Sequence, residues 1–589
     1  MKSLQGACTV LLLFTLIFSN SFDSCAQGKC LNDQKALLLQ LNQSLISVYR
    51  DPDHPFIFSS KRDSWRLNTD CCSWDGIGCD SSGRVISLDL SGEHLVGGLN
   101  STSSLFSLQN LERLSLADNH FEVTSAPIPS GLDQLPNLNY LNMSESGFIG
   151  QIPIDISRLT SLVILDLSSV YYTQELHLII KDPDLETLTR NLTGLRQLLL
   201  DSVRISERGN KWCRSLSSSL PNLQVLSLEG CELSGPLDSS LLRLQSLRVL
   251  RLSGNHISSV FPNLCHEATQ LQVLDLSNNN LSGSIPPCLG SIESLTVLNL
   301  RGNNFHGIIP DTFPKTCNMI ALDLNRNKLE GQLPRSLTNC KMLKVLDLGN
   351  NQLAGTFPYW LKSMSQLRVL VLRSNKFHGA WGNQGANYNF SALQIIDVSS
   401  NNFSGALSKD LFSSLKTMMV KEDKEAQGNQ ENQNSDNDTS YYHQTVTVTS
   451  EGLNLELMKV ETIFTCIDFS NNEFEGEIPE SIADLTSLRI LNFSGNALTG
   501  PIPSTFGNLT NMESLDLSRN KLTGEIPSQL AALSFLSFLN LSFNNLEGKI
   551  PSGNQIQTFG PSSFEGNDGL CGFPLPKICS SSIIESPQN

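Results

Sequence analysis

Beyond its first 26 residues the chain has no long hydrophobic run, it carries no excess of positive charge, and it shows no catalytic signature. Each absence removes a class of protein. After Ala26 no segment stays apolar over the roughly 20 residues that a membrane-spanning helix needs. The formal net charge of −16 disfavours nucleic acid and anionic membrane as partners. The patterns G-x-S-x-G, H-E-x-x-H and G-x-G-x-x-G and the Walker loop are missing, so neither enzyme chemistry, nor a catalytic residue, nor a cofactor is expected. No C-x-x-C pair or histidine cluster points to zinc, and no metal centre is expected.

What the chain does contain is one phrase written many times. "LDLSNNNLSGSIP", starting at Leu274, returns as "LDLNRNKLEGQLP" from Leu322 and as "LDLSRNKLTGEIP" from Leu515. Its asparagine falls at Asn255, Asn279, Asn303, Asn327, Asn351 and Asn375, every step being 24 residues, and again at Asn472, Asn496, Asn520 and Asn544. Looser units centre on Glu93, Asn119, Ser146, Val170, Val203 and Cys231, and one more on Asn401, which makes seventeen. A fixed period in this range marks a solenoid. The two leucines of L-x-L point to one side of a short strand and bury themselves between coils. Stacked coils join these strands into a parallel sheet on the concave face of a curved superhelix, an α/β-type repeat solenoid. The buried Asn has both donors and an acceptor for loop amides that would otherwise lack partners. The following L-x-G-x-[IL]-P places Gly at a bend and Pro where no N–H is needed.

The start of the chain indicates its compartment. An apolar run from Ala7 to Phe18, then "SCA" ending at Ala26, reads as a signal peptide over residues 1–26, with a secreted chain beginning near Gln27. Eleven N-x-[ST] sequons suit a glycoprotein: Asn42, Asn100, Asn142, Asn191, Asn280, Asn389, Asn402, Asn437, Asn492, Asn508 and Asn540. Fifteen cysteines agree with an oxidising compartment. End coils of a solenoid need covering, so the expected staples are Cys30 to Cys71 and Cys72 to Cys79 before the array, and Cys571 to Cys579 after it. Inside the array, Cys265 with Cys288 and Cys317 with Cys340 are each 23 residues apart, at near-equivalent points of adjacent coils, and are expected to pair. Cys213 and Cys466 are left over, and Cys231 stands where a coil Asn would be.

The opening "CCSWDGIGC", the repeat L-x-x-L-x-L-x-x-N-x-L-x-G-x-I-P and the closing "FEGNDGLCGFPLPKIC" resemble a plant leucine-rich-repeat receptor-like protein over essentially the whole mature chain. The gap of 71 residues between Asn401 and Asn472 holds a polar arm, Lys421 to Ser440, then "TVTVT" from Thr445 to Thr449, and it resembles the island domain of that family. The implied domains are an N-terminal cap over 27–82, repeats over 83–415, the island over 416–460, four C-terminal repeats over 461–555, and a cap and tail over 556–589. Family members continue into a transmembrane helix, whereas this sequence ends at "SSSIIESPQN". The expectation is therefore a secreted, apoplastic protein, or a plasma-membrane receptor if the chain is truncated.

The resemblance implies an extracellular recognition module for a peptide, microbial or cell-wall-derived ligand, protein or glycan. It would signal through co-receptor and adaptor receptor-like kinases in plant defence or development. The competing reading is a secreted inhibitor of microbial cell-wall-degrading enzymes, similar to polygalacturonase-inhibiting proteins. For the ligand, Arg251, Arg301, Arg326 and Arg373 are expected to project together from exposed strand positions and to hold a carboxylate. For the kinase partner, the terminal rows Asp468, Asn492, Asp516 and Asn540 form the surface, with Arg519 and Phe543 as anchors. The Asp row of Asp275, Asp323, Asp347, Asp397, Asp468 and Asp516 is expected on the exposed concave side, and His306 and His378 read as solvent-side repeat substitutions.

Overall fold

A computed structural model describes residues 28–47, 60–169, 177–207, 209–259, 270–381, 390–419, 446–450, 453–457, 464–553 and 555–579. The coils divide into two compact units, one reaching Asn280 and one starting at Leu281. In the first, the strands Val85–Asp89, Arg113–Ser115, Tyr140–Asn142, Ile164–Asp166, Gln197–Leu199, Val225–Ser227, Val249–Arg251 and Val273–Asp275 pair in parallel, each with the next. Ile77–Cys79 closes the edge antiparallel to the first of them. In the second unit the same pairing runs from Val297–Asn299 through Ala321–Asp323, Val345–Asp347, Val369–Val371, Ile395–Asp397, Cys466–Asp468, Ile490–Asn492 and Ser514–Asp516 to Phe538–Asn540.

Each strand stops after three residues or so because the coil must turn, and the leucines on either side of the turn are fully buried, as Leu322 and Leu324 show at 1% exposure each. The asparagine carries the turn. Asn327 donates from Nδ2 to the carbonyls of Leu300 (2.9 Å) and Leu324 (3.1 Å) and accepts the N–H of Phe305 at Oδ1 (3.0 Å). Asn255 repeats the pattern in the first unit. One buried side chain thus satisfies three backbone groups, each of which would cost about 1–3 kcal/mol if left without a partner. Cys231 fills this position with a weak donor, its Sγ facing the Leu200 carbonyl at 3.1 Å.

The L-x-G segment is more than a bend. Asn304–Gly307, Lys328–Gly331, Gln352–Gly355, Lys376–Ala380, Asn402–Ala406 and Glu473–Glu477 form a second parallel sheet in the second unit. Gly331 shows why glycine recurs there: its φ is +78°, and a Cβ would lie 2.9 Å from Ile308. The proline that follows caps a short 3-10 helix, as Pro479 does for Glu480–Asp484, which buries Ile482.

The insert leaves the stack unbroken. Ile395 pairs with Cys466, and Asn472 donates to the Val398 carbonyl (3.0 Å) while accepting from Phe403 N–H (3.1 Å), so the 71-residue gap closes as one coil step. Trp381 packs edge-on against Phe403, Phe469 and Phe474, filling the core across that step. The 3-10 turn Lys416–Met419 and the hairpin of Val446–Ser450 and Leu453–Leu457 are the described parts of the insert; Lys421 to Ser440 lies outside the described residues, as does the signal segment.

Disulfides join Cys30–Cys71, Cys72–Cys79, Cys317–Cys340 and Cys571–Cys579, with Cα atoms 5.5, 5.5, 4.8 and 5.0 Å apart. Cys288 is disulfide-bonded, and its expected partner Cys265 lies outside the described residues. Cys213, Cys231 and Cys466 are free and buried; burial pushes the Cys213 thiol up to about 12 and the other two well above the usual thiol range, which makes all three unreactive.

Candidate functional site: a polar groove on the inner sheet

The side chain between the two leucines of each strand points to the concave side, where neighbouring strands stand only about 4.8 Å apart. That spacing decides its exposure. The Asp row, expected on an exposed surface, is buried instead: Asp275, Asp323, Asp347, Asp397 and Asp468 are 8%, 5%, 0%, 1% and 1% exposed, and only Asp516 is half-open. Each carboxylate accepts the backbone N–H two residues on, as Asp323 does from Asn325 (2.9 Å), Asp347 from Gly349 (3.0 Å) and Asp468 from Ser470 (3.0 Å). Asn299, Asn492 and Asn540 do the same with Oδ1. The recurrent Asp or Asn therefore turns the chain out of the strand, which accounts for its place in the repeat without a ligand.

Burial has an electrostatic consequence. Burial first, then the neighbouring Asp397, raises the Asp468 carboxyl to about 7. Burial raises Asp397 to about 6 against the pull of Arg373, whose Nη1 lies 3.9 Å from Asp397 Oδ2.

The four arginines do not form the expected row. Arg251 belongs to the first unit and lies within a strand; Arg301 and Arg373 follow the second leucine; Arg326 stands one residue further, in the left-handed region at φ 55°. Arg251, Arg301 and Arg373 are 9%, 5% and 5% exposed, covered by the same close strand spacing, while Arg326 is exposed. The structure brings two of them, Arg326 and Arg373, into a groove of about 330 Å³ in the second unit, together with Asp468, Asn492, Asp516 and Phe538. Residues assigned from sequence to two separate partners thus share one surface. Arginines mark one side, carboxylates the other, and the polar atoms between them belong to Ser and Asn.

Arg519 and Phe543 stand at the rim position occupied by Arg326 in its own coil, with φ values of 54°. Both are exposed, and the Arg519 guanidinium lies 5.4 Å from the Phe543 ring centre, a cation–π pair. His306 and His378 are exposed on the second sheet layer, three coils apart. Among the sequons, Asn100, Asn191, Asn280, Asn402 and Asn508 are exposed and Asn42 and Asn142 half-buried; Asn389 and Asn437 lie outside the described residues. Asn492 and Asn540 sit on the inner strands and donate from Nδ2 towards Asp468 (3.3 Å) and Asp516 (3.5 Å).

Comparison with known proteins now adds to the geometry. A leucine-rich-repeat N-terminal domain matches residues 31–80, leucine-rich-repeat models match 221–281, 293–353 and 269–311, and single repeats match 464–485, 487–509, 511–533 and 535–555. Receptor-like protein 6 of Arabidopsis thaliana is 39% identical over 249 residues, 40% of this chain and 24% of that protein. Receptor-like protein Cf-9 of Solanum pimpinellifolium is 31% identical over 245 residues, 40% of this chain and 27% of that protein. The matches therefore span about a quarter of those relatives. Among solved structures, the Arabidopsis receptor kinase HAESA in complex with the peptide hormone IDA and the co-receptor SERK1 is 27% identical with a TM-score of 0.53, covering 92% of this chain and 98% of that one. PEPR1–AtPEP1 is likewise 27% identical with a TM-score of 0.53, covering 92% and 79%. Among the described residues no helix is long and apolar enough to cross a membrane.

Proposed function

Since the chain belongs to the leucine-rich-repeat receptor-like proteins of plants, we propose that it is an extracellular recognition module that binds an extended peptide in the groove of its second unit and signals through partner receptor kinases. The observation that carries this reading is the groove itself. Arg326, exposed on one side, offers a place for a carboxylate, and the half-open Asp516 on the other offers one for a basic side chain or amine. An extended peptide with groups of both signs matches that polarity. The peptide hormone bound to HAESA, a receptor kinase of similar fold, supports a peptide over a glycan, and the co-receptor in the same complex supports a receptor partner. Arg519 and Phe543, exposed at the rim of the terminal coils, are the anchors proposed for that partner. The enzyme-inhibitor reading has less support, since the curated relatives are receptor-like proteins and the insert hairpin interrupts the repeat series.

The test is a peptide-library screen against the immobilised protein, followed by titration of the hits against the double variant R326E/D516K. Both residues line the groove and neither is fully buried. Affinity for the hits is expected to fall at least tenfold; hits that bind the variant as tightly as the parent would place recognition elsewhere.

A further inference from the structure

The ladder position is followed by the same residue type in two adjacent coils of the first unit: Glu93 by His94, and Asn119 by His120. Because Leu88 pairs in register with Leu114, these histidines stack one coil apart. His94 Nδ1 and His120 Nε2 are 3.1 Å apart, and the ring centres are 5.3 Å apart at an interplanar angle of 14°. With those two separations the rings meet edge to edge, nitrogen to nitrogen, and not face on face. Both side chains are only partly covered.

A carboxylate sets the direction of the pair. Glu122 Oε1 lies 3.5 Å from His120 Nδ1, which places the His120 proton on Nδ1 and leaves the Nε2 lone pair facing His94. Glu122 Oε2 is buried without a hydrogen-bond partner, in the space that a Cβ on Gly147 would fill, 1.6 Å away. Gly147 thus admits the carboxylate, and one of its oxygens remains unsatisfied. Of the other nearby acids, Glu93 is neutralised by Arg62 at 3.1 Å, whereas Asp118 is exposed and adds negative charge beside Gly92. Two imidazole nitrogens within 3.1 Å of each other on partly exposed side chains, with a carboxylate behind one of them, make a place for a cation.

We propose that His94 and His120 bind a divalent transition-metal ion of the zinc, copper and nickel class, with Glu122 as the positioning residue behind His120. Imidazole nitrogens at about 2.0–2.1 Å from a tetrahedral ion lie about 3.3 Å from each other, close to the observed 3.1 Å, at which His94 Nδ1–H donates to His120 Nε2; binding the ion moves that His94 proton to its Nε2 and turns the rings until the two lone pairs converge. His94 binds through Nδ1 with its proton on Nε2; His120 binds through Nε2 with its proton on Nδ1, donated to Glu122. Both rings remain neutral, no net proton is released, and water completes the coordination. A carboxylate behind a ligating histidine is the usual arrangement that raises ligand basicity. The site lies in the first unit and does not depend on the peptide-groove reading.

The experiment titrates Cu²⁺, the strongest binder of this class, into the full-length secreted protein carrying no polyhistidine tag, with calorimetry and electron paramagnetic resonance. One equivalent is expected to bind with nitrogen hyperfine structure from two imidazoles. H94Q and H120Q are each expected to weaken binding at least tenfold and to leave one imidazole in the spectrum; glutamine is compatible with this coil position, since Gln352 holds it in a later coil. E122Q is expected to weaken binding about tenfold while the two-imidazole pattern persists. H306Q/H378Q is expected to change nothing. A two-imidazole spectrum that survives in H94Q or H120Q, or no Cu²⁺ binding by the parent, overturns the assignment.

Discussion

At the residue scale the inner sheet is governed by how tightly its strands pack. A carboxylate in the strand position is hydrogen-bonded to the turn that follows but is also stripped of water, and at Asp397 and Asp468 the second effect wins. Their folded-state values, about 6 and about 7, lie above the ordinary 3.8. The folded protein therefore holds protons that the unfolded chain releases, and stability is lost as pH rises from about 4 to about 7. The thermal midpoint should accordingly be higher at pH 5 than at pH 7.5. Asn replaces Asp in this position of neighbouring coils, at Asn492 and Asn540. Asp468→Asn should therefore raise the midpoint at pH 7.5, leave it nearly unchanged at pH 4, and flatten the pH slope, all readable by differential scanning fluorimetry. An unchanged slope would mean that Asp468 is ionised in the folded protein at pH 5.

At the element scale the repeated unit is the coil with its asparagine, and the series runs one coil further than the leucine pattern suggests. Asn567 sits in the C-terminal cap, 5% exposed, donating to the carbonyls of Leu541 (3.0 Å) and Phe564 (2.9 Å) and accepting from Leu546 N–H (3.0 Å). It performs the ladder's task four residues before the segment stapled by Cys571–Cys579. Asn567→Ala leaves three backbone groups without their partner, at a cost of at least about 3 kcal/mol. Because coils are coupled mainly to their neighbours, the loss should be local: amide exchange should accelerate across Leu541 to Leu570 and remain slow around Asn327. Uniform acceleration would show that the cap is coupled to the whole unit.

At the scale of the whole molecule the insert is an addition to a complete stack. The pairing of Ile395 with Cys466 and the bonds of Asn472 to Val398 and Phe403 are made between coils that flank it, and the aromatic contacts of Trp381 support the same junction. Removing Lys421 to Ser440 should therefore leave secretion, circular dichroism and the thermal midpoint unchanged. Any effect of that deletion on peptide binding would then report on recognition and not on folding. Loss of secretion would show that the arm takes part in building the coils.

The sequence by itself determined whatever repeats within one coil. The 24-residue period, the paired leucines and the asparagine that needs three partners are local, and each reads off a single phrase such as "LDLNRNKLEGQLP". Staple positions were legible for the same reason, since Cys317 and Cys340 differ by one coil. Tertiary structure decided what depends on the distance between coils. Asp347, Asp397 and Arg373 looked exposed because each alternates with buried aliphatic residues, but the neighbouring strand covers them. The second sheet was hidden in a segment marked by Gly and Pro, which read as a bend. His94 and His120 are 26 residues apart in sequence and unremarkable there, yet stacking places their nitrogens 3.1 Å apart. The residues assigned to a ligand and to a kinase met in one groove because the sheet carries distant repeats side by side. Periodicity fixes which residues share a column, whereas only the packed stack fixes what each column touches and how much water reaches it.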